Sequence, residues 1–144
     1  MNQNKETSIR TGQFDDLSQI IVIKKAFDGL RDQDQVDYQE YYQYLLKEGI
    51  IIVACSSNEV VGYIAAELNG SICYVSDAGV NINFQNSGVF CALAKELEQR
   101  IRNHGTRRVI CHIKESNPLM MEILERKLHF RRGDRYILFS REVD

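Results

Sequence analysis

Several features that would mark a specialised class of protein are missing from this chain of 144 residues. It has one proline, Pro118, and no tryptophan, and it contains no internal repeat and no linker rich in glycine and serine. No run of about twenty apolar residues is present, so we expect no membrane-spanning helix. These absences, with an ordinary hydrophobic fraction of 44%, predict one globular domain over residues 1–144.

A strong charge of either sign is also missing. The formal net charge is −2, so nothing in the composition indicates a nucleic acid or an anionic membrane as a partner. The first six residues are polar and lack the apolar centre of a secretion signal. We therefore expect a cytoplasmic protein.

Metal-binding and disulfide patterns are absent as well. No two cysteines have C-x-x-C spacing and each lies in an apolar run, which is typical of buried, reduced thiols: Cys55, Cys73, Cys91 and Cys111. The three histidines are scattered without metal-ligand spacing: His104, His112 and His129. We expect no metal site.

What the sequence does contain is a clear alternation of strands and helices. Apolar periodicity and turn residues predict the order β-α-α-β-β-β-α-β-α-β-β, with the last one or two strands in residues 131–141. The second helix is predicted from about Asp34 to Lys47. Antiparallel strands followed by a β-α-β crossover indicate an α/β fold, in which helices flank a mixed central sheet of about six to seven strands.

The most informative segment runs from Val80 to Phe90. It follows an apolar strand, contains Gly88 in a short polar loop, and leads directly into a helix. The free N–H groups of a helix's first turn, with the helix dipole, favour an anion at such a loop. The plainer alternative is a strand-to-helix connection capped by Ser87.

The spacing of this loop resembles a family motif. Gln85-x-x-Gly88-x-Phe90, with Val80 five residues before the glutamine, is similar to the pyrophosphate loop of the GNAT acetyltransferases, Gln/Arg-x-x-Gly-x-Gly/Ala. Phe90 stands where glycine or alanine is usual. Its ring either turns into the core beside Val89 and Leu93 or fills the phosphate pocket.

A second motif extends the resemblance over nearly the whole chain. Asn117, followed by a helix that ends in Lys127-Leu128-His129-Phe130, resembles the family's closing pattern Asn…Tyr-x-x-x-Gly-Phe. Here the tyrosine is absent, and His129 replaces the glycine.

The resemblance implies acetyl-CoA as co-substrate. Its pantetheine arm would pair with the strand edge from Val80 through Asn81 to Ile82, and a backbone N–H near Val80 would polarise the thioester carbonyl. Asn117 either bonds the pantetheine or only caps its helix. The pyrophosphate would lie on the N–H groups of the loop and helix start: Gln85, Asn86, Ser87, Gly88, Val89 and Phe90.

The candidate catalytic side chains are Asp77, Glu67 and Tyr74. The two acids lie at or near strand ends, and Tyr74 falls where the histone-acetylating branch has a glutamate. Each also has a structural interpretation; Glu67, for example, stands beside the Asn69-Gly70 turn. The tyrosines of the second helix either line an acceptor groove or pack into the core: Tyr38, Tyr41, Tyr42 and Tyr44.

The implied function is an N-acetyltransferase that moves acetyl from acetyl-CoA to a primary amine by direct attack in a ternary complex. The acceptor is a small molecule or a protein amine, and a homodimer is one option for the assembly. The alternative is a non-catalytic GNAT-like domain that acts as a CoA sensor or protein-interaction module. Phe90, His129 and the absent tyrosine favour this alternative.

Overall fold

A computed structural model describes residues 6–28 and 38–143 of the chain. These residues fall into two compact units, Met1–His112 and Ile113–Asp144. The predicted start of the second helix, near Asp34, lies outside the described residues. The single domain over residues 1–144 stays a prediction.

The described residues of the first unit form a five-stranded sheet with three α-helices. Strands β1 to β4 are antiparallel neighbours, and β5 joins β4 in parallel through the α3 crossover, so the predicted mixed sheet is confirmed. The elements are β1 (Ser8–Thr11), α1 (Leu17–Asp28), α2 (Tyr38–Glu48), β2 (Ile50–Ser56), β3 (Glu59–Asn69), β4 (Ile72–Val80), α3 (Val89–Arg102) and β5 (Arg108–Cys111).

Two tight turns hold the antiparallel strands in register. Ser57 and Asn58 join β2 to β3 with φ angles of 51° and 66°, the left-handed values that a two-residue hairpin requires. Gly70, with φ of 62°, turns the chain from β3 into β4. The sequence predicts both turns, the first from Ser56-Ser57-Asn58-Glu59 between two apolar runs and the second from Asn69-Gly70.

Each face of the sheet has its own buried core. On one face α1 and α2 pack on side chains that include Ile51, Val53 and Tyr63. On the other face α3 packs on side chains that include Ile52, Ile64 and Val80. Because neighbouring strand residues point to opposite faces, β2 and β3 supply both cores at once.

The four cysteines are free thiols. Cys55 and Cys73 are buried, and Cys91 and Cys111 are half-buried. Desolvation raises the pKa of Cys73 to about 11, which keeps this thiol protonated at neutral pH. The prediction of buried, reduced thiols holds best for Cys55 and Cys73.

The second unit begins with α4 (Pro118–Glu122), which continues into one π-helical turn (Ile123–Lys127). Pro118 occupies the first turn of α4, and the side chain of Asn117 accepts from the N–H of Met120 at 3.2 Å. Asn117 therefore caps this helix, as one of the two interpretations expected.

The predicted final strands are not formed. Residues 131–143 contain no strand, so the described sheet has five strands and not six or seven. The side chains from Tyr136 to Phe139 are 76–92% exposed. Strand propensity is context-dependent, and a strand needs a backbone partner and a packed face as well as β-forming residues.

None of the described helices is long and apolar enough to cross a membrane.

Candidate functional site

A bulge lies in the middle of β4, next to the point where its pairing with β5 ends. Ala65 faces Asp77 while Ala66 faces Val75, so β4 has one extra residue, Ser76, at this point. β5 pairs with β4 only along Ile72 to Val75. In the described part of the chain, β4 from Ser76 to Val80 therefore has no neighbouring strand on the β5 side.

The register shows which backbone groups face this open edge. The N–H of Asn81 donates to the C=O of Val61 at 2.7 Å, so Val80 and Gly62 form a non-hydrogen-bonded pair. The N–H and C=O of Val80 then point away from β3, and strand alternation directs the N–H of Ala78 the same way. The Val80 C=O accepts from the Gln85 amide at 3.3 Å. The predicted N–H near Val80 thus faces the open edge. The N–H of Ala78, a residue that the sequence did not single out, faces the same edge.

The strand edge is shorter than predicted. β4 ends at Val80, and Ile82–Phe84 forms a 3₁₀ turn. The Asn81 side chain accepts from the N–H of Asn83 at 2.9 Å, and such local bonding competes with strand pairing. Asn81 and Ile82 therefore belong to the turn and do not extend the edge.

The glycine loop leaves the start of α3 without a side-chain cap. Gly88 is the N-cap, with a left-handed φ of 85°, and the first intrahelical bond runs from Ala92 N–H to Gly88 C=O at 3.0 Å. The Ser87 hydroxyl donates to the C=O of Phe84, so the predicted cap by Ser87 is wrong. A Cβ on Gly88 would meet nothing within 4 Å, so the backbone angle and not crowding favours glycine here. The uncapped first-turn N–H groups suit an anion.

Phe90 turns toward the protein interior. Its half-buried side chain packs against the α3-side core, which contains Val89 and Leu93. This is the first of the two orientations considered for the ring.

Asp77 lies in a buried polar cluster on the α1/α2 face. Its Oδ1 pairs with the Lys24 ammonium at 3.3 Å. Its Oδ2 accepts from the hydroxyls of Tyr42 and Tyr63, the latter at 2.7 Å. Burial, and then the charge of Asp77, raises the pKa of both phenols well above the ordinary range, so they remain donors. Both carboxylate oxygens are thus engaged, an arrangement that favours a structural role over proton removal.

The other two candidate side chains lie on the same face of the sheet. Glu67 and Tyr74 are directly opposite each other across β3 and β4, and both are half-buried. The Tyr74 hydroxyl lies 2.9 Å from Nδ1 of His112, the residue that follows β5. The sequence did not indicate that His112 lies beside Tyr74, because the two residues are far apart along the chain and His112 matches no motif.

The tyrosines of α2 differ in burial, and the predicted lining of an acceptor groove stays a prediction. Tyr38 and Tyr42 are buried in the core, whereas Tyr41 and Tyr44 are 37% and 51% exposed. Tyr41 lies within electrostatic reach of Asp77, Glu67 and Lys24, and burial is the main cause that raises its pKa. The exposed part of Tyr41 therefore borders the same polar surface as Glu67.

Together these features define a class of protein: an α/β domain with a mixed sheet, whose fourth strand opens beside an uncapped, glycine-led helix start. That geometry suits an extended ligand with amide groups at one end and an anionic group at the other. The model of the acetyltransferase (GNAT) family matches residues 19–130. The chain belongs to this family.

Solved structures share the fold at low sequence identity. The aminoglycoside acetyltransferase meta-AAC0020 from an uncultured soil metagenomic sample, in complex with sisomicin, has a TM-score of 0.77 at 18% identity, over 96% of this chain and 97% of that one. AAC(6')-Iy, in complex with the bisubstrate analogue CoA-S-monomethyl-acetylneamine, has a TM-score of 0.78 at 15% identity, over 96% and 99%. A transcriptional regulator from Bacillus halodurans C-125 has a TM-score of 0.81 at 17% identity, over 94% and 99%. No curated protein matches this sequence significantly.

The closing motif of the family has a structural counterpart in the second unit. His129, which stands at the usual glycine position, has a φ of 60°, and the next N–H, of Phe130, donates to the C=O of Leu124 at 2.9 Å. Glycine adopts this angle without strain, whereas for histidine it is uncommon. The backbone at His129 therefore has a conformation that glycine would adopt more readily.

Proposed function

We propose that this protein is an N-acetyltransferase that moves acetyl from acetyl-CoA to a primary amine by direct attack. The observation that carries the proposal is the open edge of β4, with the N–H groups of Ala78 and Val80 directed outward, beside the uncapped start of α3. The pantetheine would lie along this edge and the pyrophosphate at the loop around Gly88.

The chain's own groups would act mainly by position. A backbone N–H at Ala78 or Val80 would donate to the acetyl carbonyl oxygen and stabilise the negative charge that develops there. The Gly88 loop would hold the pyrophosphate through N–H groups and the helix dipole. Holding both reactants in one geometry supplies much of the rate.

The acceptor amine would approach from the α1/α2 face. Glu67 and the exposed part of Tyr41 border this face, and a carboxylate with a phenol suits a cationic amine. One structural relative is in complex with sisomicin, and another is in complex with the bisubstrate analogue CoA-S-monomethyl-acetylneamine. We propose a small polycationic amine as the first class to test, with a protein amine as the second.

Binding of acetyl-CoA is tested by thermal shift and calorimetry. Ligand at one hundred times its Kd should add about 2.7 kcal/mol of stability. Gly88→Glu places bulk and a like charge at the loop and should abolish this effect. Gly70→Glu is the matched control, because Gly70 also has a positive φ in open space but lies in the β3–β4 turn. Unchanged acetyl-CoA affinity in Gly88→Glu would remove the loop from the site.

Transfer is tested separately, by release of free thiol in the presence of sisomicin, spermidine or a lysine-containing peptide. Acetylation of any of these amines would support the proposed N-acetyltransferase activity. Binding of acetyl-CoA without transfer to any of them would favour the non-catalytic CoA-binding domain. The pantetheine contact of Asn117, the homodimer and the cytoplasmic location stay predictions from the sequence.

A further inference from the structure

The carboxylate of Glu67 has no cation beside it in the described part of the chain. Its side chain is half-buried on β3, yet it makes no hydrogen bond and no ion pair with another described residue. Asp77, on the same face, differs, because its carboxylate is paired with the Lys24 ammonium and accepts from two phenols. An opposite charge stabilises a partly desolvated carboxylate, so Glu67 suits a cation that the described residues do not supply.

The strand register places Glu67 on the α1/α2 face. Tyr63 and Ala65 belong to the core on that face, and strand alternation directs Glu67 to the same side. Glu67 lies opposite Tyr74, which is two residues before Ser76, where the unpaired edge of β4 begins. The acceptor is proposed to approach from this face, so the carboxylate borders its path.

Tyr41 of α2 lies close to both acids of this face. Its ring centroid is 5.1 Å from that of Tyr42, whose hydroxyl donates to Asp77. Tyr41 is within electrostatic reach of Glu67 as well as Asp77, and 37% of it is exposed. A phenol ring beside a carboxylate is a favourable surface for an ammonium ion.

The register also indicates how far Glu67 lies from the point of transfer. The N–H of Ala78 is one of the two that would hold the acetyl carbonyl oxygen, and Ala78 pairs with Ile64 on β3. Ile64 is three residues from Glu67, so about 10 Å of strand separates the two levels. An acceptor that reaches both levels needs a second cationic group at the far end of a chain.

We infer that Glu67 anchors a second ammonium group of the acceptor and so selects long diamines over monoamines; this role rests on the proposed acetyl transfer. The anchored end would lie against Glu67 and Tyr41. The amine at the other end would attack the acetyl carbon beside Ala78. In this role Glu67 takes up no proton; it orients the acceptor and contributes to its affinity.

The test compares two substrates that differ in the terminal amine, 1,6-diaminohexane and hexylamine. In the wild type, kcat/KM should be higher for the diamine. Glu67→Gln should lower kcat/KM for the diamine about 10- to 100-fold, mostly through KM, as expected for one charged hydrogen bond. The loss for hexylamine should be smaller. The short diamine 1,3-diaminopropane cannot span the two levels and should show little of the preference.

Two further variants separate this role from a structural one. Glu67→Asp keeps the charge and should retain more of the preference for the diamine than Glu67→Gln. Glu59→Gln removes an exposed acid at the other end of the same strand and should match the wild type. Thermal denaturation should show similar stability for Glu67→Gln and the wild type, because no described residue loses a hydrogen bond or an ion pair.

Binding without turnover gives a second measurement. Calorimetry of 1,6-diaminohexane with the CoA-bound wild type should show an affinity that Glu67→Gln lowers by a similar factor. The role of Glu67 would be overturned, with acetyl transfer still established, by an unaltered ratio of diamine to monoamine activity in Glu67→Gln. Absence of diamine binding to the wild type would overturn this role too. Acetyl-CoA binding with no transfer to any amine would overturn the enzyme proposal and this role together.

Discussion

At the scale of single residues, Asp77 shows how packing decides what an acid can do. An isolated carboxylate near a strand end is a reasonable base, and the sequence suggested one here. In the folded protein the Asp77 side chain is 9% exposed and is bonded to Lys24, Tyr42 and Tyr63. A buried carboxylate with this set of partners stabilises the link between α1, α2 and the sheet, and has little capacity left for a substrate proton.

Asp77→Asn should therefore destabilise the protein. It removes a buried charge and leaves Lys24 without that carboxylate, so we expect a loss of about 2–4 kcal/mol in the free energy of unfolding. Urea denaturation measures this loss of stability. Tyr42→Phe, which loses one hydrogen bond to Asp77, should lower the free energy of unfolding by about 1 kcal/mol. An Asp77→Asn protein of wild-type stability whose kcat falls a hundredfold would instead identify Asp77 as the base.

At the scale of elements, the start of α3 carries the proposed anion site although it departs from the family motif. The backbone supplies what the site needs: a left-handed Gly88 and a first turn without a side-chain cap. The phenyl ring of Phe90 lies against the α3-side core. The large side chain at this motif position thus packs as part of the core.

Phe90→Ala restores a residue that the family commonly has. Because the ring is half-buried against the core, we expect a loss of about 2 kcal/mol in stability and little change in acetyl-CoA affinity. Denaturation and calorimetry on the same preparations measure both quantities. Tight acetyl-CoA binding that appears only in the alanine variant would show that the ring fills the phosphate site, and would favour the non-catalytic alternative.

At the scale of the whole molecule, an ion pair between β1 and the segment before α1 links stability to pH. Asp16 is 5% exposed. It accepts from both terminal nitrogens of Arg10, at 2.7 and 2.8 Å, and from the N–H of Gln13 at 2.8 Å. The hydrogen bonds from Arg10 lower the pKa of Asp16 against the opposing effect of burial.

This shift predicts the direction of the pH dependence. A carboxyl group whose pKa is lower in the folded state stabilises the protein fully above its unfolded pKa of about 3.9, and loses that contribution as pH falls through the folded pKa. Asp16→Asn should lower the free energy of unfolding by about 1–3 kcal/mol at pH 7. In this variant the further loss of stability below pH 4 should be smaller than in the wild type. Urea unfolding between pH 7 and pH 3 measures this. The exposed neighbour provides the control Asp15→Asn, and equal pH dependence in both variants would contradict the assignment.

The sequence by itself determined the order of elements in the first unit, the two hairpin turns and the glycine loop before α3. These features are local. Ser57, Asn58, Gly70 and Gly88 adopt left-handed angles within a few residues of the chain, and helix periodicity needs only neighbouring turns. The family motif at Gln85 to Phe90 is readable for the same reason.

Only the tertiary structure decided the chemistry of the site. The partners of Asp77 and the contact of Tyr74 with His112 join residues that are 14 to 53 positions apart along the chain. The bulge at Ser76 depends on the register between β3 and β4. It also corrected the expected strands in residues 131–141, whose β-forming side chains remain exposed. Periodicity indicates which face of an element is apolar. The contacts between polar side chains depend instead on strand register and helix packing, which form only when the whole sheet assembles.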